Sequence, residues 1–199
     1  MPRIPLLQAE SLTGEHKRVH DLVKARSHDN RVGPPYHLTL HHPELLEKWQ
    51  QVGLLLRYRT SLSPRLSELA ILVAARFWDC QYEWLAHEPH AIKGGLPPAI
   101  IEAIRAGKRP EFEEPDDEMI YEYVRELQET HFVNDANYQR VLDRFGIVGV
   151  IELTALIGEY TTIAMTLNAH RYELPPGVPL PLPLPLPQLD RGADSKRRR

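Results

Sequence analysis

Ser63-Pro64-Arg65-Leu66-Ser67-Glu68-Leu69-Ala70-Ile71-Leu72-Val73 is the stretch on which the fold turns. A serine hydroxyl can accept from a free amide of a first helical turn, and proline at the first helical position gives up only an amide that has no partner there. Behind that start signal Leu66, Leu69, Ala70, Val73 and Phe77 recur at helical spacing, so the sequence predicts a helix opening at Ser63-Pro64.

The same reading extends toward the N-terminus. Thr13 to Ser27 reads as a helix with Thr13 as N-cap and Glu15 in its first turn. Arg31 to Pro43 reads as loop, because Gly33-Pro34-Pro35 and Pro43 disfavour regular structure. Pro43 opens a helix through Tyr58 whose apolar stripe is Leu45, Leu46, Trp49, Val52 and Leu56.

Toward the C-terminus, a break is expected at Trp78-Asp79, with Asp79 capping the next helix and Pro89 kinking or dividing it. Gly94-Gly95 ends that segment, and Leu96-Pro97-Pro98 starts a short helix through Ala106. The polar stretch Gly107 to Pro115 reads as a linker between two helical halves. Asp116 is the expected cap of a helix through Thr130, and Asp135 of one through Phe145 that Gly146 closes. An apolar helix over Val148 to Asn168 follows, carrying Gly149, Ala155, Gly158 and Ala164. The fold class is therefore all-α: one domain over residues 1–173, its two halves sharing a core, and a Pro-Leu-rich, basic tail over 174–199. Pro-Leu alternation from Pro179 to Pro187 favours an extended polyproline conformation, expected to be mobile or to wrap a partner.

Composition narrows function. With 199 residues, 42% hydrophobic and 26% charged, the chain can bury a core. A formal net charge of -3 gives no electrostatic case for nucleic acid, since positive charge gathers only in Lys196-Arg197-Arg198-Arg199. A single cysteine excludes an intramolecular disulfide. Met1 to Gln8 has no apolar core of signal-peptide length, and the longest apolar run, Ile147 to Ile157, is too short to span a bilayer. The expectation is a cytoplasmic protein with no membrane contact.

Chemistry concentrates in Cys80-Gln81-Tyr82-Glu83-Trp84-Leu85-Ala86-His87. At about 100° per residue a helix here would bring Cys80 and His87 almost into line, with Glu83 within roughly 60° of both. Glu83 and His87, one turn apart, make either an acid–base couple or a helix-surface ion pair. Cys80 reads either as an inert packing residue or as a nucleophile, and Glu68 as a second carboxylate or a satisfied buried one. Tyr82, Trp84 and, from the late helix, Tyr160 are candidates to line a substrate pocket, or else core aromatics. Glu83, His87 and His90 share a face, but no His-Glu-x-x-His order is present and Pro89 interrupts them, so no metal site is expected.

The run Leu62 to Leu72, followed by Tyr82-Glu83-Trp84-Leu85-Ala86-His87, Ala91, Gly95-Leu96 and Ile100-Ile101, resembles the carboxymuconolactone decarboxylase family, within the alkylhydroperoxidase D-like superfamily. Similarity also covers Leu40 to Trp49 and Phe145-Gly146 to Asn168. The resemblance implies an alkylhydroperoxidase D-like helical fold, homo-oligomers, a small-molecule substrate and no cofactor. In the peroxidase branch the site is a glutamate, a Cys-x-x-Cys pair and a histidine; these fall on Glu68, Cys80 and His87, with Glu83 where the second cysteine would stand. That replacement removes the resolving thiol, leaving an oxidised Cys80 dependent on an external one. Three functions are therefore expected in this order. The first is a family enzyme using Glu83 and His87, with Glu68, for acid–base chemistry on a small carboxylated or lactone-type metabolite. The alternatives are a peroxidase using Cys80 with an external thiol, and a non-catalytic helical oligomer that binds a partner through its Pro-rich tail.

Overall fold

Helix α4, Pro64–Phe77, is the axis around which the chain packs, and every residue from Leu66 to Arg76 is buried. A helix apolar on nearly all sides has to be enclosed by its neighbours. The Ser63 hydroxyl accepts from the Leu66 amide, as its start signal requires. Phe77, at the end of the stripe, emerges half-exposed.

The computed structural model describes residues 3–27 and 30–183. Helices α1 (Gly14–Arg26), α2 (Pro34–Thr39) and α3 (Pro43–Tyr58) precede α4; α5 (Gln81–Lys93), α6 (Pro98–Arg105), α7 (Pro115–Thr130) and α8 (Asp135–Ala169) follow it. No strand occurs among the described residues, so the fold is all-α as expected. The main core joins Leu69, Leu72 and Trp84 with Ile120, Val124 and Leu153. It thus draws on helices from both sides of the 107–115 stretch. A smaller cluster of Leu12, Val19, Val23, Leu40 and Leu46 fastens α1 to α3.

Several local expectations give way to packing. Residues 34–39 are helical, because Pro34 and Pro35 occupy first-turn positions where proline opens a helix. Pro89 does not divide α5, which runs from Gln81 to Lys93 with the proline inside it. Proline inside a helix costs about 3 kcal/mol, and the burial of Trp84, His87 and Ala91 on the same helix offsets it. Asp79 does not cap α5: it takes a left-handed φ of 49° and pairs with buried Arg76. Asp116 pairs with Arg144 at 2.9 Å instead of capping α7. Asn134, not Asp135, caps α8 by accepting from the Asn137 amide at 2.9 Å. Thr13 holds the N-cap position of α1 without a side-chain bond.

Gly146 divides α8, at φ 69° and ψ -178°, into the two helical runs the sequence predicts. On α3, Leu46 and Leu56 are buried, but Leu45 and Val52 of the expected stripe are about half exposed. Ile147, Val148 and Ile151 are also exposed, near the start of the second run of α8. The Pro-Leu segment begins on the protein's own surface. Leu182 is buried in the main core, its amide donates to Gln81 Oε1 at 2.9 Å, and Arg105 Nη1 donates to the Pro181 carbonyl at 2.6 Å. The rest of the Pro-Leu run and the Lys196 to Arg199 tail lie outside the described residues. No helix among the described residues is long and apolar enough to cross a membrane.

Candidate functional site

Three helices turn polar side chains toward one cavity of about 420 Å³. Gln50, Gly53, Leu54 and Arg57 contribute from α3, at the i, i+3, i+4, i+7 spacing of one helical face. Glu83, Ala86, His87 and His90 do the same from α5, with Tyr82 beside them. Glu159, Tyr160 and Ile163 line it from α8, and residues 31–36, ending in Tyr36, close another side.

His87 Nδ1 lies 2.7 Å from Glu68 Oε2, a buried hydrogen bond that ties α5 to α4. The Tyr160 ring stands edge-on to the imidazole, centroids 4.8 Å apart. Arg57 Nη2 sits 3.5 Å from Glu68 Oε1. Burial pushes the Glu68 carboxyl up, yet the hydrogen bond and charge of His87, with Arg57, outweigh that and hold it below the usual carboxylate range. Burial lowers His87, and its bond to Glu68 only partly restores it. The state consistent with both directions is an ionised Glu68 and a neutral His87 at neutral pH. A carboxylate needs a donor, so Nδ1 carries the proton and Nε2 keeps its lone pair.

The other carboxyls of the cavity are placed differently. Glu83 is 1% exposed, and neither of its oxygens has a hydrogen-bond partner among the described residues. Burial, reinforced by the nearby charge of Glu159, raises it well above the ordinary value. Glu159 accepts from Trp49 Nε1 at 2.7 Å through Oε2, while its Oε1 is unpartnered; burial raises it to about 7, against the Trp49 bond.

The structure thus brings His87, Glu68, Glu83, Tyr82 and Tyr160 to the site, with Glu68 standing behind the imidazole instead of on the cavity wall. The pairing inside it differs from the expected one. His87 bonds to Glu68, not to Glu83 four residues before it, and Glu83 is no surface ion-pair partner but a buried carboxyl. Cys80 does not sit on the helix with Glu83 and His87. It occupies the N-cap position of α5, packs with Leu38, Ala164 and Leu167, and is not among the cavity-lining residues. Burial and the charge of Glu83 push its thiol up to about 12. Trp84 is fully buried in the main core, donates to Glu88 at 2.9 Å, carries Arg105 over its ring and does not line the cavity.

Gln50, Gly53, Tyr36 and Glu159 escaped the sequence reading. Glu159 had a usable signal, being with Glu152 one of two carboxylates within an otherwise apolar run. No group of three or more His, Cys, Asp or Glu placed to hold a metal ion occurs among the described residues.

An all-helical protein with a buried carboxylate–imidazole pair beside a partly open cavity is the class these features define. Residues 43–110 match the model of the Carboxymuconolactone decarboxylase family, which bears out the resemblance read from the sequence. The matched segment runs from α3 through α6 and holds Glu68, Glu83 and His87 together. No curated protein matches the chain. The family match supports a family-level function, decarboxylase or alkylhydroperoxidase-like.

Proposed function

We propose that the chain is an acid–base enzyme acting on a small carboxylated or lactone-type metabolite, with His87 as the proton carrier. The observation that carries this reading is the 2.7 Å bond between His87 Nδ1 and Glu68 beside a partly open cavity of about 420 Å³. Glu68 fixes the tautomer and stabilises the imidazolium that forms when Nε2 takes a proton. Arg57 supplies a guanidinium for a substrate carboxylate. When a carboxylated lactone loses carbon dioxide, the electron pair left behind enters the conjugated carbonyl system. His87 Nε2 takes one proton from solvent and delivers it to that carbon as carbon dioxide leaves, so each turnover consumes one solvent proton and returns the imidazole to its neutral form.

The thiol route finds less support. A peroxidase needs a thiolate open to its substrate, and Cys80 is 1% exposed with its thiol held protonated. Carbon dioxide release from carboxymuconolactone and related carboxylated lactones, set beside consumption of tert-butyl hydroperoxide with dithiothreitol, separates the two. The acid–base reading expects decarboxylation that disappears in His87→Gln and Glu68→Gln and persists in Cys80→Ser. Hydroperoxide turnover that is lost in Cys80→Ser would overturn it.

A further inference from the structure

Besides the His87–Glu68 pair, the cavity lining carries buried oxygens with nothing to bond. Glu83 from α5, Glu159 from α8 and Gln50 from α3 are 1%, 7% and 1% exposed. Both Glu83 oxygens, Glu159 Oε1 and Gln50 Oε1 lack a hydrogen-bond partner among the described residues. Gln50 decides the polarity of this group. Its Nε2 is used on the Val23 carbonyl at 2.9 Å, so the amide presents a carbonyl oxygen, which can only accept. Buried oxygens left unmatched cost about 1–3 kcal/mol each, an expense that native proteins accept chiefly at sites where something else completes the bonds.

Space is kept open at the same place. Trp49 holds Glu159 Oε2, which leaves Oε1 turned toward Gly53. A Cβ at Gly53 would stand 2.9 Å from that oxygen and 3.3 Å from Tyr36 Oη. The charge bearing on Glu83 is another carboxyl, that of Glu159. The chemical group that satisfies three acceptor side chains and draws two carboxyls raised by burial into their ionised form is a cation with several N–H donors.

We infer that the part of the cavity walled by Glu83, Glu159 and Gln50 is a subsite for a protonated amine. Resting on the acid–base reading above, this makes the substrate a small amino acid whose carboxylate faces Arg57. Gly53 and Arg57 lie one turn apart on the same face of α3, so the ammonium and the carboxylate are to be joined by a short chain, for which four methylene groups serve as the probe. Binding has a proton balance. Burial raises both carboxyls toward the protonated form, Glu159 to about 7. An ammonium favours their ionised form and expels a proton to solvent; a neutral ligand does not. The other ionisable groups facing the cavity are Arg31 before α2, Tyr36 on α2, Arg57 and Tyr58 on α3, then Tyr82, His87 and His90 on α5 and Tyr160 on α8. Glu68 on α4 lies behind His87.

The test is titration calorimetry of the whole chain at pH 7 with 5-aminopentanoate, 5-hydroxypentanoate and pentanoate, in phosphate and in Tris. These two buffers differ in ionisation enthalpy and so report the protons released. The amino acid is expected to bind at least ~10-fold more tightly than either analogue and to release about one proton. In Glu83→Gln and Glu159→Gln, folding checked by circular dichroism, the preference and the released proton should both vanish, while weak pentanoate binding persists. Equal affinity for the three ligands overturns the inference, as does a preference that survives both substitutions or no binding of the amino acid at about 10 mM. The acid–base reading fails separately: amine preference in a protein that decarboxylates nothing leaves the subsite standing and removes only the reaction.

Discussion

Replacing Glu159 by glutamine should stabilise the protein at pH 8 and change it little at pH 5. Burial raises this carboxyl from an ordinary 4.5 to about 7. Between those values the unfolded chain has given up a proton that the folded chain still holds. Stability therefore falls as pH climbs from 4.5 to 7 and is level above that, the reverse of the behaviour of a carboxylate in an ion pair. At 1.36 kcal/mol per unit, the penalty at pH 8 is on the order of 3 kcal/mol, and at pH 5 less than about 1 kcal/mol. Glutamine keeps an oxygen for the Trp49 Nε1 bond and never ionises, so the variant escapes the penalty at pH 8. Glu83 adds to the gain, since it loses the charged neighbour that helps to raise it. Urea unfolding followed by tryptophan fluorescence at both pH values measures the difference. An equal change in stability at pH 5 and pH 8 would refute the reasoning.

Glu68→Gln removes the negative charge that partly offsets the burial of His87, so the imidazole titration, read from its ring protons by NMR, should move to still lower pH; an unmoved titration would mean the pair does not exist in solution. Gly53→Ala gains about 1 kcal/mol in helix propensity but sets a methyl 2.9 Å from Glu159 Oε1, so the melting temperature should change little while ligand affinity falls several-fold or more. Parent-like affinity in that variant would dismiss the role given to the gap. At Gly146, φ is +69° and no atom lies within 4 Å of an added Cβ, so Gly146→Ala should cost about 1–2 kcal/mol through backbone strain alone, as urea unfolding would measure. Unchanged stability would show that the kink relaxes.

Prolines made most of the fold legible. Pro43, Pro64 and Pro98 each stand at a helix start, where the physics of the missing amide applies without reference to the rest of the chain. The same residue misled where tertiary packing decides: Pro34-Pro35 opens a helix instead of forbidding one, and Pro89 is carried inside α5. Acidic residues were poor guides to caps, because Asp79 and Asp116 are engaged by arginines distant or hidden in the sequence pattern. Spacing and resemblance together brought Glu68, Glu83 and His87 into view. What they could not supply was the partner of each group, since His87 chooses between two glutamates according to how α4 and α5 cross. The α3 wall was invisible for another reason. Gln50 and Gly53 look like the solvent face of an amphipathic helix until α5 and α8 are laid against it.

The seclusion of Cys80 has a practical side. A lone thiol 1% exposed and packed against Leu38, Ala164 and Leu167 cannot meet an alkylating reagent while the native contacts hold. Its labelling rate therefore counts openings of the junction between α2, α5 and the end of α8, at single-residue resolution and with no engineered probe. Compared with the global unfolding rate, that number tells whether the helix bearing Glu83 and His87 loosens by itself or only when the whole molecule comes apart.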